Sequence, residues 1–459
     1  MREQEAGRGA HWDAALYAAA AGAAALSARL DAIPVQRQWA RLALVPYAAG
    51  ALVALALALR RRPARRPPAA RAGLAAAVLL GALVVPLVLE VGWRAELGDR
   101  GHVQSEVFLT EQGARELVGG RNPYGASYGY GMLRTYPPGV WQHIPYLPGI
   151  FAFGLPSALA GAGSLTDARL GFTLVSLVAA VVALRIGALS GEARLRVLLV
   201  LLILPTGARY LVGGGDDVAV LALLLLAVVL ERRRLPVVAG LAAGLAAAIK
   251  QTAWPALPFL ALAARDRDGR PAGWRYLAAV GVVVVPVVAP FAVWDAGALV
   301  HSVVLFPLGL GSEPTIARGF TLGQLLDGPV PGGKTAVAVV LAVALLAAGV
   351  LLAVRRPPAS VAAALRSAGA LLAAAVVLAP AGRLGYLIYP VNLLLWSGLL
   401  PGGAYPDERQ AHAVPAVGAD PSRNGGGHRA GADRAVSHPT WPGGHRRGTA
   451  AGDDRRGRA

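Results

Sequence analysis

Long apolar segments without charged side chains recur along the chain and set its overall pattern. The clearest lie at 42–59, 72–89, 276–293 and 335–354. Each approaches the roughly 20 residues that a helix needs to cross the hydrocarbon core of a bilayer. Only 15% of the residues are charged, against about 25% in soluble domains. The pattern therefore predicts an all-α protein, a polytopic bundle of transmembrane helices.

The apolar segments define a membrane domain at 1–400 and leave a polar tail at 401–459. We expect about 11–13 membrane segments in the first part. The tail is rich in Gly, Pro, Arg and His and has no apolar periodicity, so it should be disordered. The expected segments are 14–30, 40–59, 73–92, 143–163, 169–189, 194–212, 216–230, 236–249, 252–264, 275–294, 335–354, 360–380 and 384–400.

Arginine placement indicates which side of the membrane each loop occupies, because short basic loops stay in the cytoplasm. The arginine-rich loops are 60–71, 231–234, 265–270 and the Arg355–Arg356 pair. Counting crossings from them puts loops 93–141 and 295–333 outside and the tail inside, in a multi-pass protein of the plasma membrane. The same loops account for much of the net charge of +18, so no nucleic-acid partner is expected.

The stretch between residues 141 and 231 must contain an odd number of crossings to satisfy this topology. Four apolar segments lie there, so one of them must be re-entrant, short or merged with a neighbour. The candidates are the proline-broken segment 143–163 and the short segment 216–230. We favour the first, which leaves the GGGDD turn at 213–217 outside.

The largest polar island in the membrane domain is loop 93–141, which carries several acids beside arginines and aromatic side chains. Stretch 103–118 is compatible with an amphipathic helix at the membrane interface. The following RNPYG sequence predicts a turn, and we count Arg121, Asn122 and Tyr124 of it among the candidate substrate-binding residues. The acids can serve chemistry, or they can be solvated or paired with nearby arginines; they are Glu96, Asp99, Glu106, Glu111 and Glu116.

Four further polar residues, at three places in the chain, interrupt apolar sequence. Asp216 and Asp217 open a segment, where they can cap a helix or line a site. Lys250 follows an apolar segment, where it can bind a phosphate or extend to the membrane surface. Arg383 lies on the predicted outer side, against the basic-loop trend, and suits a phosphate or pyrophosphate. No P-loop sequence occurs, the histidines have no metal-site spacing, and the absence of cysteine excludes thiolate chemistry.

The order of these motifs resembles the GT-C class of membrane glycosyltransferases, and most closely glycosyltransferase family 87, the actinobacterial polyprenol-phosphate-mannose-dependent mannosyltransferases. An acid in the first outer loop is followed by a helix, Gly-Gly-Arg-Asn-Pro-Tyr at 119–124 and an aromatic, proline-rich entry to the next helix. Further similar stretches are SLTDARLGF, PTGARYLVGGGDDVAVLALLL and AGLAAGLAAAIKQTAWP. The resemblance covers about 75–400 and implies a large, catalytic first outer loop.

The resemblance also implies roles for particular residues. The catalytic base of the family is an outer-loop acid about seventeen residues before Pro-Tyr, which corresponds to Glu106. Asp99 is the rival, because the family usually has Asp there. The family often has Gly-Gln near Gly215 and Asp216, so Asp216 and Asp217 depart from its pattern. The implied substrate is a sugar on a lipid phosphate, so neither a nucleotide cofactor nor a metal is expected.

These observations give a leading hypothesis and two alternatives. The leading one is an enzyme that transfers a sugar, mannose by the resemblance, from a polyprenyl-phosphate donor to a lipid-linked or polysaccharide acceptor at the outer membrane face. The first alternative is a secondary transporter of a lipid or polar solute, which would place ionisable residues near the midplane and show internal repeats. The second is a non-catalytic subunit of an envelope-assembly complex.

Overall fold

The computed structural model describes residues 2–59, 67–135, 143–311, 321–325, 333–379, 381–382 and 384–400. Helices account for nearly all of this part of the chain, which contains no strand, and this confirms the predicted all-α fold. The α-helices are α1 (Arg2–Leu30), α2 (Pro34–Leu59), α3 (Pro67–Leu79), α4 (Val85–Leu97), α5 (Ser105–Val118), α6 (Phe151–Ala160), α7 (Ala168–Ile186), α8 (Gly191–Leu198), α9 (Ala208–Gly213), α10 (Asp217–Arg232), α11 (Pro236–Ile249), α12 (Ala256–Asp268), α13 (Arg270–Val300), α14 (Leu322–Leu325), α15 (Gly333–Arg355), α16 (Val361–Leu378) and α17 (Ile388–Leu399). The tail 401–459 lies outside the described residues, as does most of loop 295–333 beyond residue 311.

Within the described ranges, seven helices are long and apolar enough to cross a membrane. They are Pro34–Leu59, Ala69–Leu97, Ala168–Ile186, Gly191–Gly213, Arg270–Leu305, Thr335–Arg355 and Val361–Leu378. Several join elements through π-helical turns, such as Leu80–Val84 between α3 and α4. Large apolar side chains on these helices face outward, as at Val282, Val293 and Leu346, and an apolar exterior of this kind suits lipid.

Shorter helices fill the centre of the bundle. Almost every side chain of α10 is buried, including both polar and apolar residues, so this helix forms the axis of the membrane domain. The segment predicted to be re-entrant contains Pro148–Ala160 as a short apolar helix. At 1.5 Å per residue it spans about 20 Å, less than the roughly 30 Å of a bilayer core. Its length agrees with a half-length segment, and the side on which it ends stays a prediction.

Helix α5 lies in loop 93–141, which we call the first outer loop after its predicted side of the membrane. An amphipathic helix was predicted there, but α5 is buried more deeply than an interfacial helix. Phe108, Leu109 and Gly113 are buried against α6 and its approach. A Cβ at Gly113 would meet the ring of Phe151, and a Cβ at Gly154 of α6 would meet the carbonyl of Thr110. These two glycines therefore allow α5 and α6 to pack closely, and they fix the first outer loop on the bundle.

A buried arginine joins the outer loop to the transmembrane helices. Arg169 on α7 is fully buried and donates two hydrogen bonds to Asp167, at 2.9 and 2.7 Å. Its remaining donors reach three backbone carbonyls: His102 at 2.8 Å, Val212 at 3.0 Å and Glu90 at 3.3 Å. One guanidinium thus satisfies acceptors from the loop before α5, from α9 and from α4.

We expect Arg169→Met to destabilise the fold strongly. The substitution leaves the three carbonyls without this donor, and it removes one of the two arginines that balance the negative charge of the buried Asp167. Breaking a buried ion pair costs on the order of 3–5 kcal/mol. The measurement is the thermal unfolding midpoint in detergent. Arg185→Met is the matched control, since Arg185 lies exposed on the same helix. Equal midpoints for the two variants would contradict the role assigned to Arg169.

Candidate active site

A polar cavity of about 640 Å³ opens where the first outer loop meets α9, α10 and the short turn before α17. Three sequence-predicted site residues line it together: Glu106, Asp217 and Lys250. Its volume lies within the range of cavities that hold small-molecule ligands. The other lining residues are Asp31, Ala32, Ile33, Pro34, Gln36, Arg100, Gly101, Val103, Gln104, Ser105, Met132, Tyr146, Arg209, Tyr210, Gly215, Gly385 and Tyr386.

Glu106 presents its carboxylate to this cavity from the first turn of α5. The backbone N–H of Gln104, the residue that precedes α5, donates to the carbonyl of Gly213 at 2.9 Å. The Ser105 hydroxyl donates to the Glu106 side chain at 3.3 Å. Among the described residues no arginine, lysine or histidine forms an ion pair with Glu106. A carboxylate that is half-buried and unpaired is available to accept a proton from a bound hydroxyl.

Asp99, the rival acid, has a different environment. Its carboxylate accepts a hydrogen bond from Arg94 Nε at 2.8 Å. Arg94 also pairs with Glu111 at 2.7 Å and with Asp167 at 2.8 Å. Asp99 lines a separate, smaller cavity of about 220 Å³ with these residues and is absent from the lining of the larger one. The structure thus separates the two acids, although which one is the base stays a prediction.

Lys250 is buried and holds both adjacent aspartates of the GGGDD turn. Its ammonium donates to Asp216 at 2.7 Å and to Asp217 at 2.5 Å, and the Tyr389 hydroxyl donates to Asp217 at 2.8 Å. The Tyr146 ring centroid lies 5.1 Å from the ammonium. Burial favours the neutral amine, but attraction by the two carboxylates outweighs it, so the pKa of Lys250 lies well above its ordinary value.

The backbone conformation and the close packing of the GGGDD turn require glycine at two of its positions. Gly214 has a φ of +105°, a left-handed conformation that favours glycine. A Cβ there would meet Val107 of α5, and a Cβ at Gly213 would meet the side chain of Gln104. Asp216 precedes α10 but makes no side-chain capping hydrogen bond. The alternative in which Asp216 caps the helix through its side chain is therefore wrong, since that carboxylate binds Lys250 instead.

Two arginines contribute positive charge to the rest of the cavity. Arg209 on α9 pairs with Asp31 at 2.9 Å and also bonds the Gln36 side chain. Arg100 is exposed at the cavity and forms no ion pair with the described residues. Neither was selected from the sequence, because each resembles an ordinary charged residue beside a membrane segment. Tyr146 and Tyr386 were also missed, since aromatic residues near a membrane surface usually form an interfacial belt.

The RNPYG turn has a visible structural role away from this cavity. The side chain of Asn122 accepts a hydrogen bond from the backbone of Tyr124 at 3.0 Å, and Arg121 pairs with Glu116 at 2.5 Å on the surface. The buried Tyr124 hydroxyl donates to the carbonyl of Tyr146 at 2.8 Å. None of the three turn residues lines the cavity, and their predicted substrate contacts stay untested. Arg383 lies outside the described residues.

The fold and this site define a polytopic helical membrane protein with a polar cavity built from its first outer loop and its central helices. Residues 145–380, about half of the chain, match glycosyltransferase family 87. The chain belongs to this family, which confirms the resemblance, and is therefore a membrane glycosyltransferase. The matched region contains Arg209, Asp216, Asp217 and Lys250 but begins after Glu106. No protein with a curated description matches the chain.

We expect Lys250→Met to lower the unfolding midpoint, because it leaves two adjacent buried carboxylates without their cation, at a cost of about 3–5 kcal/mol. Adding Asp216→Asn and Asp217→Asn to Lys250→Met should recover most of the loss, since the carboxylate charges then disappear with the ammonium. The measurement is thermal unfolding of all variants in detergent. A Lys250→Met protein with the wild-type midpoint and weaker donor binding alone would show that Lys250 serves the substrate instead.

Proposed function

We propose that this glycosyltransferase transfers a mannosyl group from a polyprenyl-phosphate donor to a lipid-linked or polysaccharide acceptor at the outer face of the plasma membrane. The proposal rests on one observation: a single cavity is lined by both negatively and positively charged side chains. It holds the unpaired carboxylate of Glu106 and the guanidinium groups of Arg100 and Arg209. Family membership supports sugar transfer, whereas the sugar, the lipid carrier and the membrane face are our inference.

The proposed reaction needs a base, and Glu106 is our candidate. An acceptor hydroxyl oxygen attacks the anomeric carbon of the donor while its proton passes to the Glu106 carboxylate. The new glycosidic carbon–oxygen bond forms as the bond between the anomeric carbon and the phosphate oxygen breaks. The electron pair of that bond leaves with the lipid phosphate, and attack from the opposite face inverts the anomeric configuration. No nucleotide is consumed in this scheme.

The departing phosphate gains negative charge in this step, and cations placed at that position stabilise it. We assign this role to Arg100 and Arg209. Arg100 has no carboxylate partner in the described part of the chain, and Arg209 shares its charge with Asp31 alone. Lys250, nominated from the sequence, has its single positive charge opposed by both Asp216 and Asp217. A phosphate beside that group would meet net negative charge, so the two arginines suit it better.

We also assign Asp217 a part in sugar recognition. Its side chain lines the cavity while one oxygen, Oδ1, accepts from both Lys250 and Tyr389. A fixed carboxylate of this kind can accept a hydrogen bond from a sugar hydroxyl. Neutral hydroxyls tolerate the net negative charge of this group, which the donor phosphate does not. We infer that the sugar lies towards Asp217 and the phosphate towards Arg100.

We expect Glu106→Gln to lower the rate of sugar transfer by about 10²–10⁴-fold, because the amide keeps the shape of the side chain but cannot accept the proton. Donor binding and expression should persist. The measurement is transfer of radiolabelled mannose from polyprenyl-phosphate-mannose to a membrane lipid extract, with donor binding recorded separately.

Asp99→Asn and Glu96→Gln are the matched controls for this experiment, since both acids lie in the same outer loop and neither lines the larger cavity. Both should retain transfer. Loss of transfer in Asp99→Asn with retention in Glu106→Gln would reverse the two assignments. Retention in all three variants would show that none of these three acids is the base.

A further inference from the structure

A second groove, of about 460 Å³, runs between α12 and α13. Each helix contributes one face, with residues at the i, i+3, i+4, i+7 spacing of a helical stripe. On α12 the stripe runs from Pro258 to Arg265, and on α13 it runs from Arg270 to Leu277. Its floor consists of the small residues Ala261 and Gly273, both buried. A Cβ at Gly273 would meet the Ala261 carbonyl, so the close approach of the helices depends on this glycine.

The groove is polar at one end and apolar at the other. Arg265 and Arg270 lie at the end where the Gly269 turn joins the two helices. Pro258 and Leu277 lie seven residues away on their helices, which is about 10 Å along the axis. Trp274 stands between the two ends and is 70% exposed, and indole rings of this kind favour the membrane–water interface. A phospholipid is also polar at one end, the phosphate head group, and apolar at the other, the acyl chain.

Neighbouring charges leave the two groove arginines unmatched. Arg267 pairs with Glu231 at 2.8 Å and with Asp268 at 2.6 Å. Asp268 is therefore already engaged in an ion pair. Arg265 and Arg270, by contrast, form no ion pair with any described residue. One end of the groove thus carries two positive charges, and the rest of it is apolar. A ligand that matches this surface has an anionic group attached to a hydrocarbon chain.

The groove lies at the opposite end of the bundle from the glycosyltransfer cavity. Helix α11 ends beside the cavity at Lys250, and α12 returns towards Glu231, where Arg267 binds. We propose that this groove is a binding site for an anionic phospholipid of the leaflet next to the arginine-rich loops. The phosphate lies between Arg265 and Arg270, and one acyl chain lies over Gly273 against Trp274. Basic pockets between transmembrane helices on the cytoplasmic side bind anionic lipid head groups in this way.

The test is native mass spectrometry of the full chain released from detergent after incubation with equal amounts of phosphatidylglycerol and phosphatidylcholine of the same acyl chains. Arg265→Ala/Arg270→Ala should bind about one phosphatidylglycerol fewer than wild type and the same amount of phosphatidylcholine. Arg355→Ala/Arg356→Ala is the matched control, because these arginines are also adjacent to a membrane helix and exposed. It should bind as wild type does. Leu262→Trp, which fills the groove without changing its charge, should lose the same phosphatidylglycerol.

Three results would overturn the proposal. The first is an unchanged phosphatidylglycerol count in Arg265→Ala/Arg270→Ala and in Leu262→Trp. The second is an equal loss in the Arg355→Ala/Arg356→Ala control, which would indicate general surface attraction. The third is a polyprenyl phosphate that displaces phosphatidylglycerol from the wild-type groove when present at one tenth of its concentration, which would assign the groove to the lipid carrier. The thermal unfolding midpoint of each variant in detergent is recorded beside the lipid count, so a misfolded protein cannot imitate a lost site.

Discussion

The position of the candidate active-site cavity depends on one buried guanidinium. Arg169 binds the carbonyl of His102, just before the residues that carry Glu106, and the carbonyl of Val212, just before the GGGDD turn. A buried carbonyl without a donor is costly, so the two segments are held together by a strong constraint. The hydrogen bond from Gln104 to Gly213 at 2.9 Å reinforces the same junction. The outer loop is thereby fixed to the central helices, and Glu106 and Asp217 line a common cavity.

Charge compensation then divides the acids and bases of this region into structural and available groups. Asp99, Glu111 and Asp167 all bind Arg94, and Lys250 is opposed by both aspartates of the GGGDD turn. These groups stabilise the fold because removal of a partner would leave a buried charge uncompensated. Glu106 and Arg100 have no such partner in the described part of the chain. Their full charge is available to a substrate, whereas Arg209 shares its charge with Asp31 and Asp217 shares its charge with Lys250.

Much of the architecture could be predicted from the sequence, because long apolar runs report directly on membrane helices. Helix α5 was expected over 103–118 and is found at Ser105–Val118. Its burial was not expected, because the small residues that permit it, Gly113 and Gly154, have partners far away in the chain. The same limit applied to the site. Lys250 could be selected because it interrupts apolar sequence, and Glu106 from the spacing that the family resemblance implies. The ion pair of Asp99 with Arg94 and the place of Arg209 depend on folding.

We propose that one cavity holds both the sugar and the lipid phosphate, with Glu106 at the reacting carbon. The most direct measurement of this proposal is a cryo-electron microscopy structure of the protein with a non-hydrolysable polyprenyl-phosphonate mannose analogue. We expect the phosphonate within hydrogen-bond distance of Arg100 and Arg209, roughly 3 Å, with the anomeric carbon facing Glu106 and a sugar hydroxyl on Asp217. A phosphonate bound at Lys250, or a sugar placed beside Asp99, would contradict it.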